Sequence, residues 1–226
     1  MSRDKKAQLN IYIADVRELP ERICPEHSVP KVNAAPVRPE SALARRLVAK
    51  ALNVFLGRIP TPEELAGEVR TGSGKPFFPA FPGFHYNISH SGSYVVCAVC
   101  DQPVGIDLQQ IPDQAERAVK IAKRFFSPQE QEALQELRGR NETGALCRLF
   151  CRYWTARESY IKLTGRGLSE PFENFRPDLE AGVILVLKRD SIDTSETFYL
   201  SEYPAPAGYC LTVCSTVPLL YEQART

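Results

Sequence analysis

An acid and a base lie four residues apart in the segment Trp154–Lys162, which reads WTARESYIK. On a helix this spacing brings the side chains of Glu158 and Lys162 together on one face. A second carboxylate, Asp107, lies in the segment GIDLQ on a predicted strand, and the segment YNISHS contributes Ser89 and His90 at a predicted strand end. Two acids, a lysine and a Ser–His segment together indicate metal-assisted phosphoryl chemistry.

Asp107 and Gln109 are two residues apart, so on a strand their side chains point to the same side of the sheet. Their oxygens, one anionic and one neutral, are of the kind that Mg²⁺ prefers. The spacing is equally typical of a strand end with an aspartate in a turn. Both interpretations stay open on spacing alone.

Glu158 and Lys162 border the apolar stripe of a long predicted helix, in which Trp154 is interpreted as a core anchor. A carboxylate at such a border is costly unless it is paired or bound to a metal. One interpretation is a simple Glu158–Lys162 ion pair. In the other, Glu158 binds a metal or acts as a base, and Lys162 neutralises charge on a leaving oxygen.

The segment Ser89-His90-Ser91-Gly92 could bind a phosphate through side chains and backbone N–H groups. A Ser–His nucleophile pair is the alternative. Adjacent strand residues point in opposite directions, so His90 is poorly placed as a base for either serine. The sequence also lacks a G-x-S-x-G motif, which argues against a serine hydrolase.

Several cationic side chains could bind phosphates. Lys75 lies in a glycine-flanked turn, and Arg38 and Arg46 lie before and along the first long predicted helix. The two arginines are also typical of a solvated helix face.

Three further cations share one face of a later predicted helix: Arg117, Lys120 and Arg124. This stripe could dock an acidic protein partner, or it could be ordinary exposed charge.

The composition is that of a soluble globular protein, with 226 residues, 43% hydrophobic and 24% charged. A net charge of +1 gives no overall field for nucleic acid or an anionic membrane. No apolar run approaches about 18 residues and the N-terminus lacks a signal core, so we expect a cytoplasmic protein. The seven cysteines are an odd number, and we expect free thiols that pack in the core, including the Cys97-x-x-Cys100 pair.

The order of predicted elements favours an α+β fold with two similar halves. Gly57 and Gly165 are predicted to end helices, whereas Thr61 and Ser127 are predicted N-caps, the latter with Glu130 in a capping box. Residues 17–39, with five prolines, are predicted to form an ordered loop or an irregular excursion. Helices are predicted at residues 42–56, 114–125, 128–137 and 142–163. Strands are predicted at residues 9–16, 84–88, 94–100, 104–108, 183–188, 197–202 and 209–214.

Six segments in this order resemble the 4′-phosphopantetheinyl transferases of the Sfp type. The resemblance covers roughly residues 35–215. The matching pieces are Gly74-Lys-Pro, Tyr86-Asn-Ile-Ser-His-Ser, Gly105-Ile-Asp-Leu-Gln, Arg124-Phe-Phe-Ser with Glu130, Trp154-Thr-Ala-Arg-Glu-Ser-Tyr-Ile-Lys, and Gly165-Arg-Gly-Leu.

The resemblance implies an α+β monomer with two similar α/β subdomains in a pseudo-twofold arrangement. We expect the subdomains at residues 1–103 and 104–226, with the active site at their interface. The implied reaction moves the 4′-phosphopantetheine group of coenzyme A to a serine of an apo acyl or peptidyl carrier protein. Its products are the holo carrier and 3′,5′-adenosine bisphosphate.

The resemblance also implies roles for individual residues. Asp107 and Glu158 would bind Mg²⁺, with Gln109 at the third metal position. Glu158 would deprotonate the carrier serine directly or through water, and Lys162 would stabilise the departing phosphate. The residues expected to contact coenzyme A are Lys75, Ser89, His90, Arg157, Arg38 and Arg46.

The sequence departs from the family pattern at two positions. Gln109 replaces the usual glutamate, so the metal site loses one negative charge, and Arg157 stands where the family often has lysine. The alternatives are a non-catalytic module that binds coenzyme A or a carrier, and a Mg²⁺-dependent nucleotide phosphodiesterase.

Overall fold

The computed structural model describes residues 6–18, 38–167, 171–188 and 191–221. Most of the predicted loop over residues 17–39 lies outside these ranges, as do Cys24 and His27. The described residues of this loop lie at its two ends, in a short 3₁₀ helix, Val16–Glu18, that directly follows the first strand, and at Arg38 and Pro39, where the first helix begins.

Four helix ends lie at the capping residues that the sequence predicted, whereas the first helix begins at Pro39, three residues before its predicted start. The Ser127 hydroxyl accepts a hydrogen bond from the backbone N–H of Glu130, whose side chain completes the capping box, and Thr61 caps its helix in the same way. Gly57 and Gly165 adopt φ angles of 66° and 67°, the left-handed conformation that favours glycine after a helix. The five helices are α1 (Pro39–Leu56), α2 (Pro62–Ala66), α3 (Ala115–Phe125), α4 (Pro128–Gly139) and α5 (Thr143–Thr164).

The strands form two main sheets and one short hairpin. The first sheet has the order β11-β1-β5-β4, the second has the order β6-β10-β9-β8-β7, and β2 pairs with β3. The strands are β1 (Ala7–Asp15), β2 (Val69–Arg70), β3 (Pro76–Phe77), β4 (His85–Ser91), β5 (Tyr94–Cys100), β6 (Val104–Gln110), β7 (Phe175–Asp178), β8 (Val183–Lys188), β9 (Ser191–Glu202), β10 (Tyr209–Ser215) and β11 (Leu219–Tyr221).

The same order of elements occurs twice along the chain. In the first sheet β1 pairs with β5, which pairs in turn with β4, and α1 lies between β1 and β4 in sequence. In the second sheet β6 pairs with β10, which pairs with β9, and α5 precedes β9. This confirms the α+β fold with two similar halves. The predicted division at residues 103 and 104 falls between β5 and β6, but β11 returns to pair with β1 in parallel.

The two sheets face each other across a shared apolar core. Ile11, Val96 and Ala98 contribute from the first sheet, and Ile106 and Val213 contribute from the second. Helix α1 packs on the outer face of the first sheet, and α5 packs on the outer face of the second. Because strand side chains alternate, Ile106 and Leu108 face the shared core, whereas Asp107 faces α5.

Strand β4 is attached to β6 by side chains rather than by a backbone ladder. Every second residue of β4 accepts a hydrogen bond from a backbone N–H of β6, at distances of 3.0, 3.2 and 3.0 Å. The acceptors are Asn87 Oδ1, Ser89 Oγ and Ser91 Oγ; the donors are Ile106, Leu108 and Gln110, in the same order. We call this contact the β4–β6 seam. It holds the first half of the chain against the second.

Helix α5 lies unusually close to β6 at Gly105. A Cβ atom on Gly105 would stand 2.0 Å from the Ser159 carbonyl oxygen and 2.4 Å from the Leu163 nitrogen. Any side chain here would push α5 away from the strand. The glycine therefore sets the distance between the helix and the residues that follow it on β6.

Six cysteines fall within the described ranges, and all are free and buried, as predicted: Cys97, Cys100, Cys147, Cys151, Cys210 and Cys214. Among the helices in those ranges, none combines the length and the apolar character needed to cross a membrane.

Candidate active site

One stripe of α5 residues, spaced four apart, rests on the second sheet. Cys151 Sγ lies 3.5 Å from the Gln109 carbonyl oxygen, and the hydroxyls of Thr155 and Thr212 lie 2.8 Å apart. One turn further on, the Ser159 carbonyl faces Gly105. These contacts hold one face of α5 against the sheet, and Glu158 and Lys162 lie beside the outward-facing side of β6.

Asp107 is the centre of a buried polar cluster formed by three elements. Its side chain is only 1% exposed. Oδ1 accepts hydrogen bonds from Ser89 Oγ at 2.8 Å and from Lys162 Nζ at 2.6 Å, and Oδ2 accepts one from Gln109 Nε2 at 3.1 Å. The Ser89 hydroxyl also lies 2.9 Å from Lys162 Nζ. The structure thus brings together four of the residues singled out in the sequence.

Lys162 is paired with Asp107 rather than with Glu158. The interpretation of Glu158 and Lys162 as a simple ion pair is wrong, since within the described part of the chain the only carboxylate within ion-pair distance of Lys162 is Asp107. The reason is burial: a carboxylate as enclosed as Asp107 needs a compensating charge more than one at the helix border.

Glu158 is half-buried beside this cluster. Its carboxylate accepts no hydrogen bond and forms no ion pair with any residue in the described ranges. Burial raises the pKa of Glu158, the nearby Asp107 charge raises it further, and Lys162 acts in the opposite direction. Glu158 is therefore an acid whose charged form lacks a direct partner.

The donor set of this cluster fits a hard divalent cation. Asp107 and Glu158 supply two carboxylates that repel each other, and a cation between them would relieve that repulsion. The third position is weaker, because the Gln109 amide already donates through Nε2 to Asp107. In agreement, the described residues contain no group of three or more His, Cys, Asp or Glu side chains arranged to hold a metal.

Lys75 lies at the end of α5 rather than in the Asp107 cluster. Its ammonium donates to the carbonyls of Val104 at 3.1 Å and Leu163 at 3.0 Å. Burial lowers the pKa of Lys75 to about 8. With three N–H donors and two protein acceptors, one donor remains for another ligand. The expected contact between Lys75 and a phosphate stays a prediction.

Three other residues expected at the coenzyme lie outside the buried cluster. His90 is exposed, and it lies on the opposite face of β4 from Ser89. Arg38, the residue before α1, and Arg46 of α1 are exposed, and neither guanidinium contacts a carboxylate of the residues that the structure describes. Their roles also remain predictions.

The expected phosphate contact for Arg157 is contradicted by the structure. Its side chain is 0% exposed and forms an ion pair with Glu130. The guanidinium also donates to the backbone carbonyls of Phe172 and Phe175, both at 3.1 Å. Arg157 thus points away from the cluster and into the packing between α4, α5 and β7.

A cavity of about 530 Å³ opens beside Gln109. It is lined by the segment that follows β6, by Arg117 and Ile121 of α3, and by Phe150 and Trp154 of α5. Trp154 also stacks on Phe150, with ring centroids 6.0 Å apart, which agrees with its interpretation as a core anchor.

The cationic stripe of α3 does not face this cavity along its whole length. Arg117 lines the cavity, and Lys120 is exposed one turn later. Arg124 lies over the Phe125 ring, 5.0 Å from its centroid, and borders a different cavity. About 10 Å of helix separates Arg117 from Arg124.

Sequence reasoning named Ser89 and Arg157 as coenzyme contacts, but it missed the contacts between residues that support the cluster. Asn87, Ser89 and Ser91 alternate along β4, and this period-two polar pattern could have indicated a polar face. Thr155, Thr212 and the Arg157–Glu130 pair gave no such signal, because each partner is distant in sequence.

A family model described as the 4′-phosphopantetheinyl transferase superfamily matches residues 103–214. This range includes Asp107, Gln109, Glu158 and Lys162. The chain belongs to the 4′-phosphopantetheinyl transferase superfamily.

Several curated members of the superfamily align with the chain. A 4′-phosphopantetheinyl transferase of Bacillus subtilis is 38% identical over 64% of this chain and 61% of its own length. The Sfp protein of Bacillus subtilis strain 168 is 36% identical, with the same two coverages of 64% and 61%. HetI of a Nostoc species is 34% identical over 56% of this chain and 52% of its own length. The chain therefore spans less than two thirds of the length of these relatives.

The raised pKa of Glu158 predicts that this residue reduces the stability of the cation-free protein. Because its pKa is higher in the folded than in the unfolded state, the folded protein favours the protonated form, and ionisation above that pH range costs stability. Glu158→Gln removes the charge, and we expect the Tm of the cation-free protein at pH 7 to rise by about 2–4 °C.

Thermal unfolding in chelator, followed by circular dichroism, measures this effect. The gain should shrink as the pH falls towards the range in which carboxyl groups are protonated. Glu132→Gln, at an exposed position of α4, is the matched control and should leave the Tm unchanged. A lower Tm for Glu158→Gln at pH 7 would contradict the prediction.

Proposed function

We propose that this protein transfers the 4′-phosphopantetheine group of coenzyme A to a serine of an apo carrier protein. The observation that carries the proposal is the buried Asp107–Lys162 pair with Glu158 beside it, whose carboxylate has no partner among the described residues, in a chain that belongs to this superfamily. The products would be the holo carrier and 3′,5′-adenosine bisphosphate.

Asp107 and Glu158 would hold Mg²⁺, with Gln109 contributing its amide oxygen or orienting a water at the third position. When bound, Mg²⁺ supplies charge neutralisation for the diphosphate of coenzyme A. The two carboxylates and the amide are hard oxygen donors, which supports this assignment.

Glu158 would accept the proton of the carrier serine, directly or through water. A serine hydroxyl is a poor nucleophile without a nearby base, and the Glu158 carboxylate accepts no hydrogen bond from the described residues that would compete for the serine proton. The serine oxygen bonds to the phosphorus of the phosphopantetheine group, and the bond to the departing 3′,5′-adenosine bisphosphate breaks. Lys162 would stabilise or protonate the departing phosphate oxygen.

The phosphates of coenzyme A would be bound by groups around this cluster. Ser89 lies within hydrogen-bonding distance of both Asp107 and Lys162, and Lys75 retains one N–H donor. His90 would contribute from the exposed face of β4. Arg38 and Arg46 on α1 would contact the adenosine end.

The proposed transfer can be tested by weighing the carrier. The protein is incubated with Mg²⁺, coenzyme A and a panel of apo acyl and peptidyl carriers, and the carrier is examined by intact-mass spectrometry. We expect a gain of one phosphopantetheine group with the wild type, and a loss of at least about 10³-fold in rate for Glu158→Ala, which removes both the proposed base and a metal ligand.

Other outcomes favour other functions. An unchanged carrier with retained coenzyme A binding would favour a non-catalytic binding module. Release of nucleotide without any carrier would favour a Mg²⁺-dependent phosphodiesterase. Glu132→Gln serves again as the control, because Glu132 is remote from the Asp107 cluster in sequence and exposed on α4.

Because Gln109 is uncharged, we expect the site to bind Mg²⁺ more weakly than a site with three carboxylates would. In Gln109→Glu the amide donor to Asp107 is replaced by a third negative charge, so we expect the Mg²⁺ concentration for half-maximal activity to fall about tenfold. Gln110→Glu adds the same charge at the next, exposed residue and should change this concentration little. Equal Mg²⁺ dependence of wild type and Gln109→Glu would contradict the prediction.

The proposed carrier partner would dock with its acidic surface against α3. Arg117 lines the cavity beside Gln109, so Arg117→Glu should raise the KM for the carrier about tenfold through charge repulsion. We expect smaller effects for Lys120→Glu and Arg124→Glu, in that order.

The KM for coenzyme A should stay constant in all three variants, and Lys123→Glu is the control on the same helix. A parallel rise in both KM values would indicate a defect in folding instead of docking. Equal effects of Arg117→Glu and Lys123→Glu would contradict a docking site at Arg117.

A further inference from the structure

Arg157 is a fully buried charged side chain next to Glu158 in the middle of α5. It pairs with Glu130 and donates to the carbonyls of Phe172 and Phe175. Its guanidinium carbon lies 5.3, 5.7 and 5.4 Å from the ring centroids of Phe126, Phe172 and Phe175. Within about 6 Å such rings attract a cation, so the guanidinium is held on all sides by protein groups.

Glu130 is fixed in turn by the first turn of α4. The carboxylate oxygen that pairs with Arg157 also accepts a hydrogen bond from the Ser127 backbone N–H at 2.7 Å. Phe172 and Phe175 belong to the segment where the chain returns after α5 and enters β7. Arg157 therefore connects the middle of α5 to two elements on the side away from β6.

The stability of the fold alone gives a weak reason for this pair. Burying two charges carries a large desolvation cost before their attraction is counted, and apolar replacements of such pairs are often neutral or stabilising. The pair is also incompletely satisfied, because Arg157 Nε and Glu130 Oε1 are buried without a hydrogen-bond partner in the described residues. A geometric role explains its presence better.

We propose that the buried Arg157–Glu130 pair positions Glu158 beside Asp107. On one side, Thr155 and Ser159 hold α5 against the second sheet. On the other side, Arg157 holds the helix at the residue that directly precedes Glu158. The two attachments together fix the rotation of α5 about its axis.

Arg157 is thus a positioning residue that acts through Glu158 and touches no substrate. The inference uses the metal-binding role of Glu158 and therefore rests on the proposed function. Groups that orient a metal ligand typically contribute 10–100-fold to metal affinity. A small rotation of α5 is sufficient, because a ligand set must be held within about 0.5 Å of its working geometry.

Binding of Mn²⁺ alone, followed by electron paramagnetic resonance, tests this role without any transfer reaction. We expect Arg157→Met to weaken Mn²⁺ binding about tenfold or more, and Arg157→Lys, which keeps the charge, to retain most of it. Arg152→Lys is the matched control. Arg152 also lies on α5 and also pairs with a glutamate, Glu202 of β9, but it is partly exposed. Arg152→Lys should leave Mn²⁺ affinity unchanged.

A double variant separates positioning from folding. Glu130→Gln combined with Arg157→Met removes both buried charges and leaves an amide that can still cap α4. We expect it to recover stability in urea relative to Arg157→Met alone, because no unpaired charge is left buried, but to bind Mn²⁺ as weakly as the single variant. Recovery of Mn²⁺ affinity together with stability would reduce the pair to a structural element and overturn the proposal.

The failure of this inference is distinguishable from the failure of the proposed function. Unchanged Mn²⁺ affinity in folded Arg157→Met overturns the positioning role, even if the wild type modifies a carrier. A wild type that binds no Mn²⁺ also overturns it. If the wild type modifies no carrier but binds Mn²⁺ more tightly than Arg157→Met does, the transfer reaction is rejected and the positioning role is supported.

Discussion

The fold and the candidate site both depend on accommodating one buried carboxylate. At 1% exposure, the Asp107 side chain would be strongly unfavourable without donors around it. Those donors come from three different elements, namely Ser89 of β4, Gln109 of β6 and Lys162 of α5. Asp107 is therefore tolerated only when both halves of the chain and the long helix are assembled. The polar cluster and the arrangement of the fold form together.

The β4–β6 seam explains why the cluster lies where the two halves meet. The Ser89 hydroxyl accepts the backbone N–H of Leu108 and donates to Asp107, so one side chain serves both the seam and the cluster. On the face of β6 that carries Asp107, Gly105 allows α5 to approach within direct backbone contact. A side chain at Gly105 or a lost acceptor on β4 would shift Asp107 relative to Lys162, and the cluster would lose its charge balance.

The sequence predicted what local patterns determine and missed what distant partners determine. Caps such as Ser127 and Gly165 act within one turn, so the bounds of the long helices were predicted closely. The spacing of Glu158 and Lys162 showed that they share a helix border, but it could not show that Lys162 would form its ion pair with Asp107. The prediction that Arg157 contacts a phosphate failed for the same reason, since its partner Glu130 lies on another helix. Strands of two to four residues, such as β7 with Pro177 at a sheet edge, are too short to show an alternating pattern.

The pairing of Lys162 with Asp107 restricts how the proposed reaction can proceed. Lys162 donates to Asp107 Oδ1 and to Ser89 Oγ, so one of its three N–H donors remains for a departing phosphate. A phosphate that attracts the ammonium would weaken its pairing with Asp107, and another positive charge close to Asp107 would then compensate the buried carboxylate. The two proposed roles, metal ligand for Asp107 and leaving-group partner for Lys162, are therefore linked. Gln109 fits this exchange. Its amide donates to Asp107 in the cation-free protein, where a glutamate would add a third negative charge beside Asp107 and Glu158. The amide thus stabilises the cluster by itself, and under the proposed function it would lower the affinity for the cation.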